Sequence, residues 1–166
     1  MAWTTPKTWA SEPLTSIDLN TYIRDNQNYL QDRVDSSDAT AQYIRVSSDY
    51  TTTSTSLVDV DATNLAHSIT TIGGDVLATF AGYANVNSSG SDMYLAVDVD
   101  GTPYTIVKTK SQGSGHIFNV SFSYVFAGLA AGSHDFTLQW RVSGNTGTLY
   151  AGTLLFDVRE TMGMVA

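Results

Sequence analysis

The chain has 166 residues, no cysteine, a formal net charge of −8 and a sequence pI near 4.5. That length suits one domain, with or without an appendage, and buries a core without staples; the missing cysteines exclude disulfides and thiolate metal sites. The acidic balance argues against nucleic-acid binding, which needs a basic face, and no apolar run is long enough to span a bilayer.

Only 14% of the residues are charged, while Thr, Ser, Gly and Asn abound. Such a surface is polar and weakly charged, as in many all-β extracellular or virion-surface modules. The first residues lack the basic and apolar regions of a signal peptide. The expectation is synthesis in a cytoplasm and exit by lysis or inside a larger particle.

Residues 1–13 read as extended, because Pro6 and Pro13 disfavour helix in the residues before them. Trp3 and Trp9 are large aromatics in a segment too short to hold its own core. They pack back on this chain, or they anchor into a neighbouring subunit, where buried Trp is favoured.

The one convincing helix signature begins at Thr15. Thr15 suits an N-cap, Asp18 answers it as a capping box, and Leu14 and Leu19 sit where a hydrophobic staple would place them. An apolar stripe runs through Leu19, Ile23, Leu30 and Val34, with Tyr22 and Tyr29 beside it. Asn26 falls in the middle of that stripe. It sets register and oligomer state, as polar seam residues do, or it bonds a nearby loop. Two heptads are too few for a coiled coil, and a helix of this length is marginal alone, so it must pack on something.

Asp35–Thr40 is a polar linker. From Ala41 the apolar period changes to two. A first strand is expected around Tyr43–Val46. Thr51–Ser56 is a strand or a loop, and Leu57, Val58 and Val60 begin another apolar piece. Val76–Val86 is long and rich in small residues, which suggests close sheet packing or crowding near a symmetry axis. Met93–Val99 and Tyr104–Thr109 flank Asp100-Gly101, a hairpin dipeptide. Phe118–Phe126 and Phe136–Val142 alternate strongly, and a last strand is expected over Thr148–Arg159. Strands separated by Gly/Ser/Asn turns, with no helix between them, predict a mainly β fold. The expected architecture is an antiparallel jelly-roll or β-sandwich, preceded by an extended N-terminal arm and one short α-helix. The organisation is then 1–34 arm and helix, 35–40 linker, and 41–166 β-sandwich.

No residue set proposes catalysis, so the chain is expected not to be an enzyme, and no cofactor or metal is expected. Ser133-His134-Asp135 is not a triad, since neighbours in a strand point to opposite faces. His67, His116 and His134 lack ligand spacing, although a threefold axis triples any single residue. Asp98 and Asp100 open like a calcium loop but lack its closing Glu, which leaves a hairpin turn. Asp59 and Asp61 alternate on one strand face and offer a weak cation site across a subunit contact. Tyr94, Tyr104 and Tyr150 stack on sugar, or serve as core and interface residues.

The run Trp3-x-x-Pro6-x-x-Trp9, then Leu14-Thr15 and Leu19-Asn20-x-x-Ile23-Arg24-Asp25-Asn26, resembles the N-terminal segment of small structural proteins of tailed bacteriophages. Residues 128–144 and Phe156–Glu160 are similar to the last strands of jelly-roll domains in phage fibres and virion-surface proteins. Those domains are relatives in shape of trimeric tumour-necrosis-factor and C1q-like heads. The matched stretches cover about a third of the chain. Ala10-Ser11-Glu12-Pro13 departs from the Gly-Glu turn of the pattern, and Gln27 stands where an apolar residue is expected.

The resemblance implies a homotrimeric virion surface protein, a capsid decoration protein or short head fibre, bound to the major capsid protein or another virion protein. Attachment and assembly then rest on Trp3, Pro6, Trp9, Leu14, Leu19, Tyr22, Ile23, Asn26 and Leu30. The alternative is a tail-fibre or receptor-binding tip that recognises host surface glycan.

Overall fold

The computed structural model describes residues 15–37 and 48–161. Trp3, Pro6, Trp9, Leu14 and the expected strand at 43–46 lie outside the described residues.

The helix starts where its cap chemistry dictates. Asp18 N–H donates to Thr15 Oγ1 at 3.1 Å, and Thr15 N–H donates to the Asp18 carboxylate at 3.1 Å, closing the capping box. A short α-helical turn, Ser16–Asp18, runs into a π-helical segment, Leu19–Arg24, and then into α-helix over Asp25–Ser37. In the π segment Asp25 N–H reaches back to Asn20 O, five residues away. The helix continues to Ser37, inside the stretch expected as linker. It approaches the sandwich at its last strand.

Ten strands build two antiparallel sheets. Sheet one holds β1 (Tyr50–Thr52), β4 (Gly74–Val86), β7 (Ile117–Leu129), β9 (Gly147–Leu149) and β10 (Leu155–Thr161). Sheet two holds β2 (Val58–Asp59), β3 (Ala66–Thr71), β5 (Asp92–Val99), β6 (Thr102–Lys110) and β8 (Gly132–Val142). β2 and β3 lie on the same side of β8, and β9 and β10 on the same side of β4. Each pair acts as one interrupted strand. The spatial orders are therefore β1, β9/β10, β4, β7 and β2/β3, β8, β5, β6. Early and late strands alternate within each sheet, as Greek-key connections require, and the result is an antiparallel jelly-roll sandwich.

The period-two pattern explains the core. Phe80, Phe122, Phe156 and Val158 from sheet one and Leu95, Phe136, Leu138 and Trp140 from sheet two are buried between the layers. Phe80 stacks on Phe122 at 5.7 Å between ring centroids, and Phe126 meets Phe136 edge-on at 5.7 Å. The small residues of β4 divide by parity: Ala78 and Ala84 are fully buried and serve close sheet packing, while Ala81 faces outward.

Three local features depart from or refine the expectation. Asp100 and Gly101 both have positive φ, 52° and 83°, so the β5–β6 hairpin closes on the turn that Asp-Gly favours. β3 has no counterpart in the sequence pattern, because Ala66–Thr71 carries little apolar alternation. The expected last strand over Thr148–Arg159 is broken. Residues 150–154 leave the ladder, and Leu154 tucks over Gly82, where a Cβ would lie 2.5 Å from Leu154 Cδ2. β4 stays satisfied across the break: Tyr83 O accepts from Tyr150 N–H at 3.0 Å, and Tyr83 N–H donates to Thr153 Oγ1 at 3.2 Å.

Candidate functional site

Over residues 15–31 the helix presents its aliphatic side chains to solvent. Ile17 is 74% exposed, Leu19 and Ile23 44% each, and Leu30 52%. The covered side is polar and aromatic instead: Asn26 is 6% exposed, with Tyr22, Asp25 and Tyr29 half-buried beside it. Asn26 Nδ2 donates to Tyr22 O at 3.3 Å. Asn26 thus lies at the buried border of the stripe, toward Tyr22 and Tyr29, while Leu30, one turn further along the same α-helix, stays exposed. The wider turn of the π segment advances each residue less around the axis, so Asn26 and Leu30 both arrive rotated relative to Leu19 and Ile23.

That exposed face carries almost no net charge. Arg24 donates to Asp25 Oδ1 through both Nε and Nη2, at 3.1 and 3.0 Å, and to Asn20 Oδ1 at 3.2 Å. Amide side chains from Asn20, Gln27 and Gln31 flank the aliphatic row. Ile17, Leu19, Ile23 and Leu30 thus leave exposed aliphatic side chains with no charge among them on the described part of the helix.

The residues considered for chemistry do not assemble. Ser133-His134-Asp135 splits across contacts: His134 Nδ1 lies 2.6 Å from Asp100 Oδ2 and Nε2 lies 2.9 Å from Ala130 O, whereas Asp135 accepts from Ser68. Both ring nitrogens of His134 face acceptors, an arrangement that favours the doubly protonated, charged imidazole. The hydrogen bond to Asp100, and then that to Ala130 O, raise the His134 pKa. The same bond holds the Asp100 carboxyl below its usual range. This is a clamp between the β5–β6 hairpin and the β7–β8 turn.

Asp59 and Asp61 are not partners. Asp59 Oδ1 accepts from Gln139 Nε2 at 2.8 Å. Asp61 accepts from Tyr50 Oη at 2.5 Å, from the amides of Thr63 and Asn64 at 2.8 and 2.9 Å, and from Asn64 Nδ2 at 2.8 Å. Burial opposes its charge, but these bonds outweigh it and hold the carboxyl at about 2. Burial and the Asp61 carboxylate push the Tyr50 phenol up to about 12. Asp98 Oδ1 accepts from Gly101 N–H at 2.8 Å, which makes it a turn residue. Among the described residues no group of three His, Cys, Asp or Glu side chains is placed to hold a metal.

The three tyrosines have separate settings. Tyr94 lies under the Arg141 guanidinium, 3.6 Å from the ring centroid, with Lys108 Nζ at 5.3 Å and paired to Asp92 at 3.1 Å. Tyr104 meets Phe126 edge-on at 5.3 Å and is partly exposed; Tyr150 is half-buried. The Tyr94 cluster leaves no mark in the sequence, because Tyr94, Lys108 and Arg141 meet only through strand register. A concavity of about 320 Å³ lies beside β3 and β8, lined by Ala66, His67, Ser68, Asp135 and Phe136 among others. His67 is held there by Nε2 at 3.1 Å from Phe156 O and by stacking on the Phe156 ring at 5.2 Å. No helix among the described residues is long and apolar enough to cross a membrane.

No protein-family model and no curated protein matches the chain. Among solved structures, it is similar to dimeric latent PorU from Porphyromonas gingivalis, at 12% identity and a TM-score of 0.34, over 75% of this chain and 14% of that one. It is also similar to a structure of infectious bursal disease virus, Gx strain, at 10% identity and a TM-score of 0.35, over 75% of this chain and 37% of that one. The chain thus spans well under half the length of either.

Proposed function

We propose that this chain is a non-enzymatic structural protein of a bacteriophage virion. It forms a homotrimer on the particle surface, attached through its N-terminal arm and helix to the major capsid protein or another virion protein. The jelly-roll projects outward, as in a decoration protein or short head fibre. The observation that supports this reading is the aliphatic row Leu19, Ile23, Leu30, left outside a sandwich whose own core is complete. Covering three half-exposed aliphatic side chains is worth roughly 2–4 kcal/mol, at about 1.5–3 kcal/mol for each full burial. A short helix on a folded domain gains that by docking on a partner. The resemblance of residues 3–30 to phage structural proteins supplies the kind of partner.

The rival reading, a glycan-binding tip, draws on exposed tyrosines. Arg141 already covers one face of Tyr94, which weakens that reading at the best-placed ring. The test is deletion of residues 1–34, followed by measurement of how much protein joins particles assembled in its presence. Loss of incorporation with an intact β-domain is expected. Undiminished incorporation overturns the attachment role.

A further inference from the structure

The two sheets carry different outer faces. The outward positions of sheet two include Asp59, Asp92, Asp98, Lys108, Asp135 and Arg141. On sheet one, every second residue of 77–85 on β4 and of 117–125 on β7 points outward, and none is charged. The register sets Leu77 beside Val125, Ala81 beside Ser121 and Tyr83 beside Asn119. Ile117 and Val125 remain about half exposed, at 54% and 49%, as does Tyr83 at 49%. On the neighbouring strand β10, outward Asp157 is only 7% exposed, whereas outward Arg159, beside Leu77, is exposed, and Asp75 at the start of β4 shares the outward parity. The neutral part of the face is therefore a patch of 77–85 and 117–125, bordered by Arg159 and Asp75.

β7 sharpens the point. It is an edge strand, paired only with β4 among the described strands. Its residues 117–129 contain no Asp, Glu, Lys, Arg or Pro. Edge strands that stay in solvent are protected by such residues, and a long edge without them is a template for association.

We infer that the uncharged patch formed by the outward residues of 77–85 on β4 and 117–125 on β7, with the β7 edge, is where copies of this chain pack on one another. The occupant is a second copy for an electrostatic reason. In a chain of net charge −8, two identical molecules repel across most of their surfaces, because like charges set opposite each other are costly. A face without charge is one that an identical molecule meets without that cost. This inference rests on the homo-oligomer of the proposed function and divides the labour: the helix row meets the particle, and sheet one meets the sister chain.

The test uses the full chain. Its mass in solution is measured by sedimentation over a concentration series, for wild type, for Ser121→Asp with Val125→Asp, and for Thr70→Asp with Thr105→Asp on the outer face of sheet two. Both pairs add the same charge at exposed strand positions, and circular dichroism checks that each variant keeps its sheet. The inference expects a wild-type oligomer. The first pair should raise the dissociation concentration at least about tenfold, and the second should leave it near wild type. An oligomer indifferent to the first pair, but dissociated by Leu19→Asp with Ile23→Asp, places self-association in the helix; it overturns this inference and leaves the virion reading standing. A wild-type monomer removes the homo-oligomer itself. If that monomer's binding to particles is lost with Ser121→Asp and Val125→Asp, the face takes another virion protein and the inference is wrong.

Discussion

Gly82→Ala isolates the break in the last strand. The added methyl would sit 2.5 Å from Leu154 Cδ2, 3.3 Å from Phe80 Cζ and 3.8 Å from Leu154 Cα. Leu154 and Phe80 are essentially fully buried, so neither can turn outward to make room. Overpacking of this kind costs about 1–3 kcal/mol. For a chain of this size, about 2–4 °C per kcal/mol gives a lowering of Tm by roughly 2–12 °C. The informative assay is a double-mutant cycle by thermal or urea unfolding. Leu154→Ala alone should cost about 2–5 kcal/mol. Gly82→Ala made in that background should cost much less than in wild type, because the clashing methyl is gone. Equal costs in both backgrounds would refute the placement of Leu154 over Gly82, and with it the interrupted strand.

Other expectations follow from the same structure. Trp140→Ala, at a site 2% exposed in the centre of sheet two, should cost about 3–5 kcal/mol in urea unfolding, and a loss below about 1 kcal/mol would contradict its core position. His134→Gln should matter only within a pH window. His134 has a raised pKa, so its contribution is fully present below the unfolded histidine value near 6.5 and disappears as pH rises through the folded one. Asp100 has a lowered pKa, so its contribution holds above the unfolded carboxylate value and disappears as pH falls through the folded one. The Tm difference between wild type and His134→Gln should therefore shrink from pH 6 to pH 9; a difference that stays flat would mean the clamp is not ionic. Tyr50→Phe removes the phenol that donates to Asp61 and should cost about 1 kcal/mol at pH 7. The variant should also lose stability at a higher pH than wild type during acidification, since Asp61 stays charged down to about 2 only with its donors in place.

Much of this fold is legible in the residues. Alternation in Phe118–Phe126 and Phe136–Val142 is strong because each strand has one face in the core, and Asp100-Gly101 names its own turn. The helix start is legible because Thr15 and Asp18 bond each other locally. The π segment is not, since a five-residue hydrogen bond has no residue-type signature; nor is the burial of Asn26, whose spacing sets it beside the exposed Leu30. The break at 150–154 is hidden for a related reason. Leu154 is apolar and ends up buried, in keeping with an unbroken strand, but it gets there through a loop. β3 escapes notice because Ala66-His67-Ser68 has no apolar rhythm and is fixed by pairing with β8, more than sixty residues away. The neutral outer face of sheet one was available in Asn119, Ser121 and Ser123, which separate the core aromatics of β7, but it becomes a surface only once β4 is known to lie beside it.

The central claim is that the helix row holds this protein to a virion. The direct measurement is the fraction of full-length Leu19→Asp/Ile23→Asp/Leu30→Asp protein that cosediments with particles assembled without it, beside wild type. These side chains are exposed, so the variant should keep the wild-type fold and thermal transition. The account predicts that wild type sediments with the particles and the variant stays in the supernatant. Equal binding of the two would contradict it.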